Sequence, residues 1–223
     1  MSKIFTNEIE KLKRRLDRLA GLVQSTVINS IKAFETQNTE YMEEVFPHER
    51  KVNRLEVEFV EECFKIIALH QPVSSDLRFL VAAIEYNKDL ERMSDQATNI
   101  ANIGIALSKL PEIEAPFDYP EMAAKTRRVM KLGLQSLMDL DKRAAVDVIK
   151  LERSIDTLHE QNYDAIKDRI REDNSEIDQH IYYLSVSRCL ERIADLSTNI
   201  AEEVLYITDG EIIRHKNVIQ FEK

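Results

Sequence analysis

Two stretches of the sequence repeat each other: residues 90–101 read LERMSDQATNIA, and residues 190–201 read LERIADLSTNIA. Residues four positions apart lie on the same face of an α-helix. Each copy therefore places two carboxylates and one amide on a single helix face. These residues are Glu91, Asp95 and Asn99 in the first copy and Glu191, Asp195 and Asn199 in the second. Carboxylates at this spacing repel each other and weaken an isolated helix, so their repetition suggests that a cation binds there.

The composition of the 223-residue chain favours long helices. The sequence contains only four Gly and five Pro, and 43% of its residues are apolar, which is enough for a hydrophobic core. Apolar residues recur at three- and four-residue spacing, as in Leu12, Leu16 and Leu19, whereas no segment alternates in the two-residue pattern of a strand. The sequence therefore predicts an all-α fold without a sheet, built from two similar halves.

Turn and capping residues divide each half into three helices. Pro72 ends one helix, and Ser74, Ser75 or Asp76 is expected to cap the next. Pro47 is expected either to kink the second helix or to mark its true start. The predicted helices span residues 8–37, 39–69, 77–110, 120–138, 142–170 and 176–208, with Asn38 or Thr39 capping the second and Asp139 or Asp141 the fifth.

Short turns between these helices imply antiparallel neighbours, so that each half forms a three-helix bundle. Pro111, Pro116 and Pro120 mark a linker between the halves. We therefore predict two domains, residues 1–113 and 114–223. Gly210 is expected to stop the last helix, and the segment after it gives no clear pattern.

In an antiparallel hairpin, residues equally far from the turn lie side by side. In the first half this places Glu49 opposite Asp95 and Asn53 opposite Glu91. The second half repeats the arrangement, with Glu152 opposite Asp195 and Asp156 opposite Glu191. Each half would then present four side-chain oxygen donors. Such sites suit Mg²⁺, Ca²⁺, Mn²⁺ or iron, whereas thiolates would suit zinc.

Other interpretations of these residues remain open. His159 could add a nitrogen ligand, with His48 as a weaker counterpart, although an ordinary surface histidine is the simpler interpretation. The acidic residues could instead form a solvated face on which Arg92 and Arg192 make surface ion pairs of little energetic value. A carboxylate-bridged di-metal enzyme is a further alternative, yet the sequence lacks the Glu-x-x-His motif of such enzymes. Four glycines leave no room for a nucleotide-binding loop, so we expect no enzymatic activity.

The net charge and the hydropathy argue against two further classes of protein, nucleic-acid-binding proteins and membrane-spanning proteins. The net charge of -9 argues against a general nucleic-acid-binding protein. No apolar run approaches the ~20 residues of a membrane span, and no signal peptide is evident. We expect a soluble, cytoplasmic protein in which Cys63 and Cys189 are small, reduced core residues.

Several motifs together resemble the PhoU family of phosphate-uptake regulators. Residues 70–78, HQPVSSDLR, resemble the family's Gln-Gln-Pro-Val-Ala-Ser-Asp-Leu-Arg turn. Residues 89–95 and 190–195 resemble its repeated Leu-Glu-Arg-Ile-Gly-Asp signature. Residues 199–206 and 210–215 resemble its C-terminal segment. The resemblance extends over nearly the whole chain, including the spacing of the repeat.

The resemblance implies two three-helix bundles related by a pseudo-twofold axis, usually in a homodimer. It implies surface metal clusters, with iron or zinc as candidates, held by the acidic motifs. It also implies a regulator that links the ATPase subunit of the phosphate ABC transporter to a membrane sensor histidine kinase. Such a regulator holds the phosphate-starvation response off when phosphate is plentiful. A helical adaptor without metal remains an alternative.

The chain departs from the family pattern beside both motif aspartates. Ser94 and Ala194 replace the preceding Gly, while Gln96 and Leu196 replace the following His. These changes leave the identity of the metal open. Asn53, where the second half has Asp156, makes the first cluster poorer in charge. We therefore expect the second site to be the stronger one.

Overall fold

The computed structural model of the protein describes residues 3–209 and contains six α-helices. Within that range no residue belongs to a strand, so the prediction of an all-α fold is confirmed. The helices are α1 (Lys3–Glu35), α2 (Thr39–His70), α3 (Ser75–Leu107), α4 (Tyr119–Asp139), α5 (Lys142–Glu172) and α6 (Ile177–Asp209). The expected helix stop at Gly210 and the segment after it lie outside the described residues.

Polar side chains cap three of the helices. The side chain of Asn38 accepts hydrogen bonds from the backbone N–H groups of Glu40 and Tyr41 at the start of α2. Asp118 caps α4 and Asp141 caps α5 in the same way. These bonds satisfy donors that have no partner within the helix. Of the two residues predicted as caps of α5, Asp139 and Asp141, the structure has Asp141 in that position.

Several predicted details differ from the structure. Helix α3 begins two residues before and ends three residues before its predicted bounds. Helix α1 begins at Lys3, five residues before the predicted start, because Phe5 and Ile9 continue its buried apolar stripe. Helix α2 begins at Thr39 and runs through Pro47, so Pro47 does not mark its start. Ser74 occupies the N-cap position of α3 with a φ of 54°, but its side chain makes no capping hydrogen bond.

The two bundles share one continuous hydrophobic core. Helices α1 to α3 pack on one another, as do α4 to α6, and α3 packs along α6 across the middle of the molecule. Aromatic rings also join the halves: Phe34 lies 4.9 Å from Tyr119 and 5.8 Å from Tyr183 between ring centroids. The predicted boundary at residues 113 and 114 falls in the non-helical segment between α3 and α4. A division into domains at that point stays a prediction.

Two glycines within helices should respond oppositely to substitution. A Cβ atom on Gly21, in the exposed middle of α1, would meet no atom within 4 Å, so Gly21→Ala should stabilise the protein by up to about 1 kcal/mol. A Cβ atom on Gly133 of α4 would lie 3.1 Å from the backbone oxygen of Ser197 on α6. Gly133→Val should therefore force the two helices apart and destabilise the protein by about 1–3 kcal/mol. Urea unfolding of both variants measures the two effects, and equal midpoints would contradict this account of the packing.

Candidate metal site

The hairpin of α5 and α6 brings three carboxylates together. Glu152 and Asp156 on α5 and Asp195 on α6 each offer a carboxylate oxygen, and the three oxygens lie within 4.8 Å of one another. Glu191, one helical turn before Asp195, is close enough for the charges of Asp195 and Asp156 to act on it. The structure therefore brings together Glu152, Asp156 and Asp195 of the second predicted cluster, whereas Glu191 lies outside this compact group and within electrostatic reach of it.

The proximity of these carboxylates changes their acidity. Burial raises the pKa of Glu152 to about 8, with further contributions from a hydrogen bond to Asp156 and from the charges of Asp156, Asp195 and Glu191. Burial is also the main reason why the pKa values of Glu191 and Asp195 are raised. Each of these groups holds its proton more tightly than usual, mainly because burial disfavours the charged carboxylate and further because neighbouring carboxylates repel a negative charge.

An arginine at the rim offsets part of this charge. Arg192 Nη1 lies 3.2 Å from Asp195 Oδ2, and its charge lowers the pKa of Asp195, opposing the effect of burial. The surface ion pair considered for Arg192 is therefore present. The charges of Arg192 and Arg188 also lower the pKa of Glu191. Two guanidinium groups therefore act on a cluster of four acidic residues, and offset only part of its negative charge. Arg92, the counterpart of Arg192 in the first half, lies 3.5 Å from Asp89 instead.

In the first half, α2 and α3 bring one of the two predicted pairs together, and the pairing of Asn53 with Glu91 stays a prediction. The charge of Glu49 raises the pKa of Asp95, after the larger effect of burial, which places this predicted pair side by side. Asn53 Nδ2 donates a hydrogen bond of 2.5 Å to Glu49 Oε1. The Oδ1 atom of Asn53 is buried and has no hydrogen-bond partner among residues 3–209. This oxygen is available as a ligand.

The two clusters differ in charge and compactness. Within residues 3–209, the group of carboxylates close enough to share one ion lies in the second half. In the first half, the neutral amide of Asn53 replaces the carboxylate of Asp156. This difference supports the expectation that the second site is the stronger one, which stays a prediction.

The structure adds one acidic residue, Glu56, that the sequence did not predict for the first cluster. It also shows the hydrogen bonding of His159, which the sequence offered as a possible ligand. The charge of Glu56 raises the pKa of Glu91, after the larger effects of burial and of Asp95. Glu56 follows Glu49 by seven residues, as His159 follows Glu152, so the helical repeat could have revealed it. His159 Nδ1 lies 2.8 Å from Ser187 Oγ, so this nitrogen is already hydrogen-bonded. Asn99 and Asn199 are exposed.

The departures from the family pattern fit their surroundings. Ser94 and Ala194 are fully buried, and Leu196 is 3% exposed within the hydrophobic core. A leucine at that position contributes to packing and cannot bind a metal. The remaining donors are oxygens. Their number and crowding fit a divalent or trivalent cation, because a cation would relieve the repulsion among these partly buried carboxylates.

These features define a class of protein: an all-α molecule of two three-helix bundles, each with an acidic cluster where its second and third helices face each other. The family model of the PhoU domain matches the chain twice, over residues 16–104 and 119–204. The chain therefore belongs to the PhoU family. The two matches also confirm the internal repeat.

Curated relatives match over almost their full length. The chain is 32% identical over 216 residues to the "Phosphate-specific transport system accessory protein PhoU homolog" of Aquifex aeolicus, covering 97% of each chain. It is 28% identical to homolog 1 of Thermotoga maritima, covering 97% of this chain and 92% of the relative. These proteins are named as accessory proteins of phosphate transport.

Solved structures share the fold. The crystal structure of PhoU from Pseudomonas aeruginosa superposes with a TM-score of 0.88 at 28% identity, covering 93% of this chain and all of that one. The phosphate transport system regulatory protein PhoU from Streptococcus pneumoniae gives a TM-score of 0.83 at 25% identity, covering 93% and 98%. The protein is thus similar in both sequence and structure to regulators of phosphate transport.

The raised pKa of Glu152 predicts a pH-dependent stability of the metal-free protein. The unfolded chain releases this proton near pH 4.5, whereas the folded protein retains it up to about pH 8. Protonated Glu152 therefore contributes its full stabilisation to the folded protein below about pH 4.5, and this contribution is lost as the pH rises to about 8. The Glu152→Gln variant carries no charge at this position at any pH. Its free energy of unfolding minus that of the parent should therefore increase as the pH rises from about 4.5 to about 8. Urea unfolding in the presence of a chelator measures this increase.

Glu160→Gln is the matched control for this experiment, because Glu160 is an exposed residue on the same helix. Its stability should follow that of the parent protein at every pH. Parallel pH profiles for Glu152→Gln and the parent would show that Glu152 titrates normally, and would contradict the account of the cluster.

Proposed function

We propose that this protein is a non-enzymatic, metal-binding regulator of phosphate uptake and of the phosphate-starvation response. The observation that carries this proposal is the match of the PhoU domain to both halves of the chain, with the acidic clusters inside the matched regions. The curated relatives are named as accessory proteins of the phosphate-specific transport system. Our proposal gives this chain the same role: it holds the starvation response off when phosphate is plentiful.

The acidic clusters are proposed to hold the metal. The second site consists of Glu152, Asp156, Glu191 and Asp195, and the first of Glu49, Asn53, Glu91 and Asp95. Because all of these donors are oxygens, the sites suit iron better than zinc, which is more often bound by sulfur and nitrogen. The close approach of the carboxylate oxygens in the second site supports carboxylates that bridge more than one ion.

The proposed partners are the ATPase subunit of a phosphate ABC transporter and a sensor histidine kinase. Among residues 3–209, no helix is long and apolar enough to cross a membrane. We propose that the protein works in the cytoplasm, as a homodimer, and reaches the membrane through these partners. Its net charge of -9 would favour docking of its acidic faces on basic partner surfaces. Docking would block those surfaces for other contacts.

The alternative of a di-metal enzyme gains no support from the geometry. Asp195, at the centre of the second cluster, keeps a side chain that is 34% exposed, and Arg192 beside it is 51% exposed. Glu152 is 9% exposed, so the cluster has a buried base and an edge that is open to solvent at Asp195 and Arg192. Substrate pockets of enzymes are usually concave and apolar. An exposed acidic surface suits a metal that contacts a partner protein better than a metal that catalyses a reaction.

Metal content tests the first part of this proposal. Elemental analysis of the purified protein should show metal bound to each chain. The double variant Glu191→Ala/Asp195→Ala should lose most of the metal of the second site while its circular dichroism stays helical. Glu160→Ala/Asp164→Ala is the matched control, because it removes two exposed carboxylates with the same spacing from α5. Equal metal in all three proteins, or no metal in any of them, would show that the cluster is a solvated acidic face and not a metal site.

A reporter of the phosphate-starvation response tests the regulatory part. In a bacterium deleted for its own PhoU-family gene, this protein should keep the reporter off when phosphate is abundant. The Glu191→Ala/Asp195→Ala variant should fail to do so at equal protein level, whereas Glu160→Ala/Asp164→Ala should succeed. Full repression by the metal-site variant would indicate an adaptor that works without metal. A reporter that stays on with the parent protein, tested in the bacterium from which the chain comes, would overturn the regulatory proposal.

A further inference from the structure

A groove between α1 and α2 differs in charge from the rest of this acidic protein. It encloses about 400 Å³ and is lined by three cationic side chains and four apolar ones. These residues are Arg15, Arg18 and Lys51, with Leu19, Leu22, Leu55 and Phe59. Leu19 and Phe59 form the floor, where each is 2% exposed, and the cationic side chains form the rim.

Few acidic side chains offset the cations of this groove. Glu58 lies 3.2 Å from Arg15 and 3.9 Å from Arg54, so two cations already share its charge. Glu62 and Arg15 both act electrostatically on the buried thiol of Cys63, so Glu62 is a second acidic side chain near Arg15. Arg18 and Lys51 are exposed, and the ion pairs formed by residues 3–209 include neither of them. The rim therefore keeps an excess of positive charge.

The groove is distinct from the acidic cluster on the same helix. Helix α2 directs Glu49 towards Asp95 of α3 but directs Glu58 towards Arg15 of α1. The equivalent positions of the second half carry side chains of a different kind, without the cation and the aromatic ring. In the register that aligns Glu49 with Glu152, Lys51 corresponds to Ser154 and Phe59 to Asn162. Asn162 is buried and donates a hydrogen bond of 3.3 Å to Met122 Sδ, so this part of the second half is filled by its own side chains.

We infer that this groove docks a helical segment of a partner protein, one that carries acidic and apolar side chains on the same face. Arg15 and Leu22 are seven residues apart on α1, so the groove is about 10 Å long, or two helical turns. A partner helix could insert apolar side chains at i, i+3 or i+4, and i+7 over Leu19 and Phe59. Its carboxylates would then meet Arg18 and Lys51 at the rim.

The shape and charge of the groove favour a helix over a membrane surface. A bilayer is broad and flat, whereas the apolar floor lies below a cationic rim between two helices. Inorganic phosphate could pair with the rim but would gain nothing from the leucine and phenylalanine floor. A protein helix satisfies the rim and the floor together.

Fluorescence anisotropy with two labelled model peptides tests this inference on the full chain. One peptide repeats Leu and Glu in a helical pattern, and the other replaces every Glu with Lys. The Leu/Glu peptide should bind, more weakly at high salt, and the Leu/Lys peptide should not. Arg18→Gln/Lys51→Gln should weaken binding at least about tenfold, whereas Arg128→Gln/Lys131→Gln, which removes two exposed cations from α4, should leave it unchanged.

A second matched pair of variants tests the apolar lining of the groove, to which Leu55 belongs. Leu55→Gln should weaken binding of the Leu/Glu peptide, and Leu158→Gln, at the equivalent half-buried position of α5, should not. Circular dichroism checks that both variants stay folded. Binding to vesicles of phosphatidylglycerol and phosphatidylcholine, without binding to the Leu/Glu peptide, would overturn the inference in favour of a membrane surface. Equal binding of both peptides, or of neither, would also overturn it. None of these readouts depends on metal or on phosphate regulation.

Discussion

The register of the two long hairpins is the constraint on which the candidate site depends. Residues on α5 and α6 meet in the order set by the short turn between Glu172 and Ile177, and the buried apolar stripes of both helices fix that order. Sliding one helix by a turn would move Asp195 about 5 Å away from Glu152, because a helical turn rises by that distance. The same constraint places Glu49 beside Asp95 in the first half. The hydrophobic core therefore enforces a concentration of negative charge that an isolated hairpin would avoid.

The sequence predicted the helices, their antiparallel order and several of the carboxylate pairs that face each other, because each depends on a regular spacing. Counting residues outward from a turn was enough to pair Glu152 with Asp195. Details that depend on three-dimensional packing escaped this reasoning. The early start of α1, the continuity of α2 through Pro47 and the role of Glu56 follow from which side chains become buried. The groove between α1 and α2 also escaped, because residues far apart in the sequence line it and no periodic pattern marks it.

The halves share a repeat but have diverged in chemistry. The second half has the denser cluster of carboxylates, with Asp156 where the first half has Asn53. The first half has the cationic groove, whose equivalent positions in the second half include the buried, hydrogen-bonded Asn162. One half is thus better suited to holding a cation, and the other to holding an acidic, apolar segment of a partner.

Anomalous diffraction from a crystal of the protein grown with iron tests the central claim most directly. Data collected above and below the iron absorption edge locate the metal without any assumption about its ligands. The account predicts a strong anomalous peak among the carboxylates of Glu152, Asp156 and Asp195, and a weaker one or none beside Asn53. Ordered carboxylates with no anomalous peak in the second cluster would contradict it, as would metal bound elsewhere on the molecule and absent from both clusters.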